Sequence, residues 1–325
     1  MKTNEQPKVL CLMGPTGSGK SALALELAER LPAEIVSVDS AMIYRGMDIG
    51  TDKPPREIRE RIPHHLIDIC DPAERYNAAR FVADATAAVE VITARGRLPI
   101  LVGGTFLYFR ALVHGLSPMP GADPGIRAEL QAEAAERGWP ALHQELARID
   151  PAAAERIAPG DAQRLERALE LVRLTGRAPS DLHARDGSGA DFDFLNIALW
   201  PDDRNLLAER LEQRFIRMLE QGLLDEVKTL RERGDLDESF PAVRAVGYRQ
   251  LWHYLAGDCD LDEARRRAVV ATRRYAKRQM TWLRGEPGIT RIAADEKAPE
   301  AALEAVHRVF GRAFTGAGHV NMTGQ

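Results

Sequence analysis

Apolar residues in this chain come in short unbroken runs separated by stretches with helical spacing. Val9 to Met13 is the first run and breaks at Gly14. Leu23, Leu27 and Leu31 then recur at i, i+4 and i+8, which predicts an amphipathic helix from Lys20. Ile35 to Val38 reads as a second buried strand ending at Asp39, Phe81 to Ala94 as an alanine-rich helix, and Leu98 to Val102 as a third strand closed by Gly103 and Gly104. Strands that are apolar throughout and alternate with helices predict a parallel sheet covered on both faces.

The texture changes at Ser117 to Gly125, a linker with three prolines and two glycines. Ile126 to about Leu182 reads as helix throughout. Strand character returns at Phe194 to Leu199, after a loose stretch from Asp186 to Ala190. Long helices are predicted over about Arg204 to Arg233, Arg244 to Ala256 and Leu261 to Leu283. A strand near Ile289 to Ile292 and a helix near Pro299 to Phe314 follow. The predicted fold is therefore α/β: a P-loop NTPase-like parallel sheet flanked by helices, with an inserted all-helical domain. Its parts are residues 1–120 and 189–315 for the core, 121–188 for the insertion, and 316–325 for a loose tail.

Gly14, Pro15, Thr16, Gly17, Ser18, Gly19, Lys20 and Ser21 fit G-x-x-x-x-G-K-[ST] at every fixed position. The glycines let backbone N–H groups turn around a phosphate, and the following helix aims its positive end at the same place. Lys20 supplies a cation and Ser21 a hydroxyl for Mg²⁺. The pattern specifies a di- or triphosphate group, not a reaction. Asp39, ending the second strand, sits where α/β proteins bind ligands, with a turn cap as its alternative role. For Asp68 and Asp71, a structural role is expected over metal binding.

Composition narrows the class. Of 325 residues 45% are hydrophobic and 28% charged, and the formal net charge is −4, so bulk charge does not advertise a nucleic acid. Its distribution does. From Ala264 to Gly285 there is no acid but eight basic residues: Arg265, Arg266, Arg267, Arg273, Arg274, Lys277, Arg278 and Arg284, with Tyr275 and Trp282 interleaved. On a helix Arg267, Arg274 and Arg278 fall near one face, which suits a phosphate backbone, the alternative being a solvated face balanced by acids elsewhere. Three scattered cysteines suggest neither a disulfide framework nor a zinc site and fit a reducing cytoplasm. No membrane anchor is expected.

From about Val9 to Arg284 the chain resembles the tRNA dimethylallyltransferases (tRNA isopentenyltransferases). The resemblance rests on the glycine loop, Asp39 to Thr51 with Lys53 and Pro54, Leu101 to Tyr108, Gln163 to Arg167, Arg244 to Arg249 and Lys277 to Arg284. It implies transfer of a dimethylallyl group from dimethylallyl diphosphate to N6 of the adenosine 3′ of the tRNA anticodon, with the glycine loop holding diphosphate. It implies Asp39 as general base and Arg214 with Thr16 as diphosphate ligands. It also implies tRNA contacts at Asp39, Ser40, Ala41, Met42, Thr105 and Arg127; at Gln163, Arg164, Leu165, Glu166 and Arg167; at Arg244, Ala245, Val246, Gly247, Tyr248 and Arg249; and at Lys277, Arg278, Gln279, Met280, Thr281, Trp282, Leu283 and Arg284. The insertion corresponds to a domain that closes on the anticodon stem. The sequence departs from the family pattern at Gly17 (often Ala), Met42 (often Gln) and Asp52 (often Ala), and has no Cys/His cluster for the zinc finger of some eukaryotic relatives. A cytoplasmic monomer is expected. A small-molecule kinase using ATP, or a regulatory nucleotide-binding module, would share the glycine loop without needing the basic helix.

Overall fold

A computed structural model describes residues 6–117, 119–183 and 188–314; the tail from Gly316 lies outside the described residues. The chain forms two compact units, residues 1–113 with 191–325, and residues 114–190.

The first unit is built on β1 (Lys8–Met13), β2 (Ala33–Val38), β3 (His64–His65), β4 (Leu98–Gly103), β5 (Asp193–Trp200) and β6 (Thr290–Ala293). The six form one sheet in the order β3-β2-β4-β1-β5-β6, and every pairing is parallel. β2 is buried along its whole length and β1 and β4 nearly so, which explains their unbroken apolar runs: helices cover both faces. The exception, Glu34 in β2, is buried with His65, Arg95 and Arg97 around its carboxylate. One face packs on α1 (Lys20–Arg30) and α14 (Ala298–Phe310) through Leu23, Leu27, Ala302 and Val306.

This strand order sets neighbours at the carboxyl edge. The loops leaving β2, β4 and β1 emerge side by side, where the direction of strand addition reverses and ligands of open α/β sheets bind. β4 approaches β2 closely, and a Cβ on Gly103 would lie 2.0 Å from the Val38 carbonyl oxygen.

Around this frame lie α2 (Arg56–Arg61), α3 (Ala78–Ala94), α4 (Phe106–His114), α10 (Arg204–Glu220), α11 (Leu223–Glu232), α12 (Tyr248–Ala256) and α13 (Leu261–Gly285). The single helix expected over Arg204 to Arg233 is two, because Gly222 adopts φ 101 and starts α11 in a new direction. The helix expected from Arg244 begins only at Tyr248; Arg244 to Gly247 is a turn.

The second unit is all helical: α5 (Pro124–Arg137), α6 (Trp139–Ile149), α7 (Pro151–Arg156), α8 (Ala162–Thr175) and α9 (Pro179–His183). Its core gathers Leu130, Leu142, Leu146, Leu165 and Leu169. Asp123, Asp150 and Asp161 cap α5, α7 and α8 by accepting backbone N–H bonds, which sharpens the breaks between helices.

Candidate active site

The glycine loop joins β1 to α1. Gly19 precedes the helix at φ 89; no side chain caps α1 and no acid stands in its first turn. Asp203 and Asp260, by contrast, cap α10 and α13. The first N–H groups of α1 are thus left to an external anion. The loop is pinned from α13: buried Gln279 accepts a bond from Thr16 N (2.8 Å) and donates to the Gly104 carbonyl (2.8 Å). A Cβ on Gly104 would lie 2.3 Å from that amide nitrogen, so only glycine leaves room for the strut.

A cavity of about 380 Å³ opens over the loop, lined by Thr16, Lys20, Ser21, Asp39, Asp52 and, from α10, Arg210, Arg214 and Arg217. The three arginines sit at i, i+4 and i+7, one face of a helix. Arg214 Nη1 donates to Thr16 Oγ1 at 2.6 Å, while its buried Nε has no hydrogen-bond partner. Burial, reinforced by the Arg214 charge, lowers the Lys20 ammonium to about 8. These are the properties of an anion cradle.

Asp39 follows β2. Its Oδ1 accepts from Ala41 N (2.8 Å) and Met42 N (3.1 Å), so the turn-capping role is real. Oδ2 makes no hydrogen bond among the described residues, so a carboxylate oxygen remains for other work. Thr105 Oγ1 accepts from Ser40 N at 3.1 Å and fixes the same turn. Asp39 also lines a second cavity of about 450 Å³ with Tyr44, Tyr76, Tyr108, Phe215, Tyr248 and Tyr275. The two cavities share Thr16, Asp39, Thr51, Arg214 and Tyr275. Tyr108 is stacked on Phe81 at 4.6 Å, and burial pushes the Tyr275 hydroxyl up to about 12, keeping it neutral.

The loop bearing Gly50 to Pro54 is held rigidly. Glu226 of α11 accepts from Asp48 N and Ile49 N (both 2.8 Å), Gly50 N (3.1 Å) and the Tyr248 hydroxyl (2.5 Å). Lys53, its side chain 2% exposed, bonds the Tyr44 carbonyl, Asp48 and Asp68. Asp68 is paired with Arg59 as well, and Asp71 with Arg233, so neither lines the cradle. At the mouth of the second cavity, Arg249 and Arg278 lead into a groove between α12 and α13 that carries Arg266, Arg267, Arg274 and His253.

A family model described as IPP transferase matches residues 42–286. The chain belongs to the IPP transferase family. It is 59% identical over 290 residues to a tRNA dimethylallyltransferase of Halorhodospira halophila, covering 89% of this chain and 94% of that one. It is 55% identical over 313 residues to the enzyme of that name from Thioalkalivibrio sulfidiphilus, covering 96% and 98%. Among solved structures it resembles the full-length tRNA isopentenylpyrophosphate transferase of Bacillus halodurans (39% identity, TM-score 0.68, 95% and 97% covered). A eukaryotic dimethylallyltransferase crystallised acting on tRNA also matches (29% identity, TM-score 0.75, 92% and 77% covered).

Several of the residues that the resemblance implies as tRNA contacts are buried in this structure. Leu165 is core of the helical unit, and Gln279, Met280 and Leu283 are buried beneath α13. Periodicity explains this: a contiguous motif on a helix must place part of its residues inward. The basic stripe is also smaller than its sequence suggests. Arg265 pairs with Asp262, Arg266 and Arg267 with Glu263, and Arg273 with Glu212. Among the described residues no carboxylate pairs with Arg274, Lys277, Arg278 or Arg284.

In the helical unit, Gln163 and Arg164 are exposed, while Gln131 bonds Glu166. Arg127 and Arg167 converge instead on buried Glu170, at 2.7 and 3.0 Å and at 2.5 Å. Burial alone would raise the Glu170 carboxyl, but these bonds outweigh it and bring it to about 2. Sequence reading missed Glu170, Glu226, Arg210, Arg217 and, among the tyrosines of the second cavity, Tyr44, Tyr76 and Tyr108 as site residues. Only Arg210 and Arg217 had a local signal, their helical spacing from Arg214.

Proposed function

We propose that the chain transfers a dimethylallyl group from dimethylallyl diphosphate to N6 of the adenosine 3′-adjacent to the anticodon of tRNA, releasing diphosphate. The observation that carries this reading is that an anion cradle and an aromatic cavity share the side chain of Asp39. The diphosphate lies over the glycine loop against Lys20, Arg214 and Thr16. The target adenine, flipped from its stack at a cost of about a few kcal/mol, enters among the tyrosines.

The N6 lone pair is delocalised into the purine, so the amine is a weak nucleophile. As the N6–C bond forms and the allylic C–O bond breaks, Asp39 Oδ2 takes the N6 proton, an effect worth about 10²–10⁴-fold. The electron pair of the broken bond leaves on diphosphate, where the loop N–H groups, Lys20 and Arg214 stabilise the developing charge. Ser21 is exposed in the cradle, and no group of three or more His, Cys, Asp or Glu among the described residues could hold an ion alone. That donor set fits Mg²⁺ carried by the diphosphate and ligated by the Ser21 hydroxyl. When bound there, the ion neutralises charge on the leaving group.

The tRNA backbone follows the groove between α12 and α13 toward Arg249 and Arg278, with Arg274 supplying unpaired charge. The helical unit meets the anticodon stem through Gln163 and Arg164. The protein acts as a cytoplasmic monomer; among the described residues no helix is long and apolar enough to cross a membrane. The test is purified protein with radiolabelled dimethylallyl diphosphate, Mg²⁺ and unmodified tRNA, with ATP as the competing donor. Label is expected in the tRNA. Phosphoryl transfer from ATP without prenylation would overturn the proposal.

A further inference from the structure

The cradle contains one carboxylate that its cationic chemistry does not call for. Asp52 lines the same cavity as Lys20, Arg210, Arg214 and Arg217, and its Oδ2 lies 3.4 Å from Arg214 Nε. Its backbone is in the left-handed region, φ 60, which aspartate tolerates better than most residues other than glycine, and its neighbours hold it there. Glu226 clasps the N–H groups of Asp48, Ile49 and Gly50, Thr51 Oγ1 donates to the Met47 carbonyl at 2.6 Å, and Lys53 is locked from the other side. The loop cannot relax to carry Asp52 away.

The pairing with Arg214 is electrostatic without being a hydrogen bond. Arg214 Nε is buried and makes none, whereas Nη1 is fixed on Thr16. The carboxylate therefore balances the guanidinium, and the Nε–H makes no hydrogen bond. The Asp52 side chain is 63% exposed, so it can swing toward solvent.

We infer that Asp52 is an internal counter-anion of the cradle, held against Arg214 until a donor binds and displaced when a diphosphate takes the Arg214 Nε–H. It keeps Arg214 oriented before the donor arrives and loosens the grip on diphosphate after transfer. The inference rests on the donor reading above.

The test is binding of inorganic diphosphate with Mg²⁺ to the full chain, comparing wild type with Asp52→Asn and Asp52→Gly by calorimetry. Asn removes the charge and tolerates the left-handed backbone; Gly removes the charge and the strain. Both variants are expected to bind diphosphate about fivefold more tightly at low salt, with the gap closing as salt screens it. Equal or weaker binding in Asp52→Asn would overturn the inference. So would tightening confined to Asp52→Gly, which would make strain the lever, or a raised Mg²⁺ requirement, which would make Asp52 a metal ligand. Wild-type protein that takes up no diphosphate would instead sink the donor reading, and this inference with it.

Discussion

The two cavities that meet at Asp39 are built from opposite materials. One is walled by a glycine loop, an uncapped helix start, a lysine and three arginines of α10; the other by five tyrosines and a phenylalanine. The first can hold charge but offers nothing that reads a base. The second is lined by aromatic side chains, with arginines toward its mouth. Neither explains a reaction alone. The proposed reaction places its chemistry at their shared wall, where the Asp39 carboxylate lines both cavities. Binding and chemistry should therefore separate cleanly by mutation.

The largest effect is expected at the shared wall. Asp39→Asn keeps the Oδ1 that caps Ala41 and Met42 but removes the base. Turnover should fall about 10²–10⁴-fold, with donor and tRNA affinities within about twofold of wild type, measured by single-turnover kinetics and equilibrium binding. An intact rate would merge the two cavities into ordinary binding clefts.

Next come the cradle cations. Arg214→Ala should raise the donor KM about 10- to 100-fold, as lost hydrogen bonds to a charged group imply, and leave tRNA affinity unchanged. Loss of tRNA binding instead would mean that the division by chemistry is wrong.

The cradle also predicts a pH dependence. The Lys20 ammonium, lowered to about 8 by burial and the Arg214 charge, is restored toward its ordinary value of 10.5 when an anion sits beside it. Below pH 8 it is already charged and binding needs no proton. Above pH 8 binding must draw one in, so donor affinity should fall as pH rises, by up to about tenfold per unit. A flat profile from pH 8 to 10, measured by titration of donor diphosphate, would contradict that assignment.

On the side of the second cavity, Arg274→Glu with Arg278→Glu should weaken tRNA binding about tenfold and reduce its salt slope by about two, without moving the donor KM. The smallest functional effect is expected from Glu170→Gln, whose carboxylate orients Arg127 and Arg167. That change should lower thermal stability and leave donor affinity untouched. Because the Glu170 carboxyl is depressed to about 2, its contribution is present above about pH 4.5 and lost as pH falls toward 2.

How much of the fold and the site the sequence reveals follows from the physics of each element. β1, β2 and β4 declared themselves because a strand covered on both faces must be apolar throughout. α4 did not: Phe106 to Val113 is apolar nearly all round and carries no period. α2 is too polar and β3 too short to signal. The glycine loop was readable because its chemistry is local. The second cavity was readable only in part, through Tyr248 and its neighbours, since Tyr44, Tyr76, Tyr108, Tyr248 and Tyr275 come from five places in the chain. Arginine clusters carry partners that the sequence does not show. α8 and the first half of α13 look available in sequence, but Glu170, Glu263 and Glu212 occupy them, and charge counts cannot see a partner brought by folding.

The central claim is that one carboxylate faces a diphosphate donor and a flipped adenine at once. A crystal structure of the chain with a non-hydrolysable dimethylallyl thiodiphosphate and an anticodon stem-loop reads that arrangement directly. The account predicts the diphosphate over Gly14 to Ser21, the adenine among the tyrosines, and Asp39 Oδ2 within about 2.6–3.2 Å of N6. A donor seated elsewhere, or an adenine whose N6 lies beyond reach of Asp39, would contradict it.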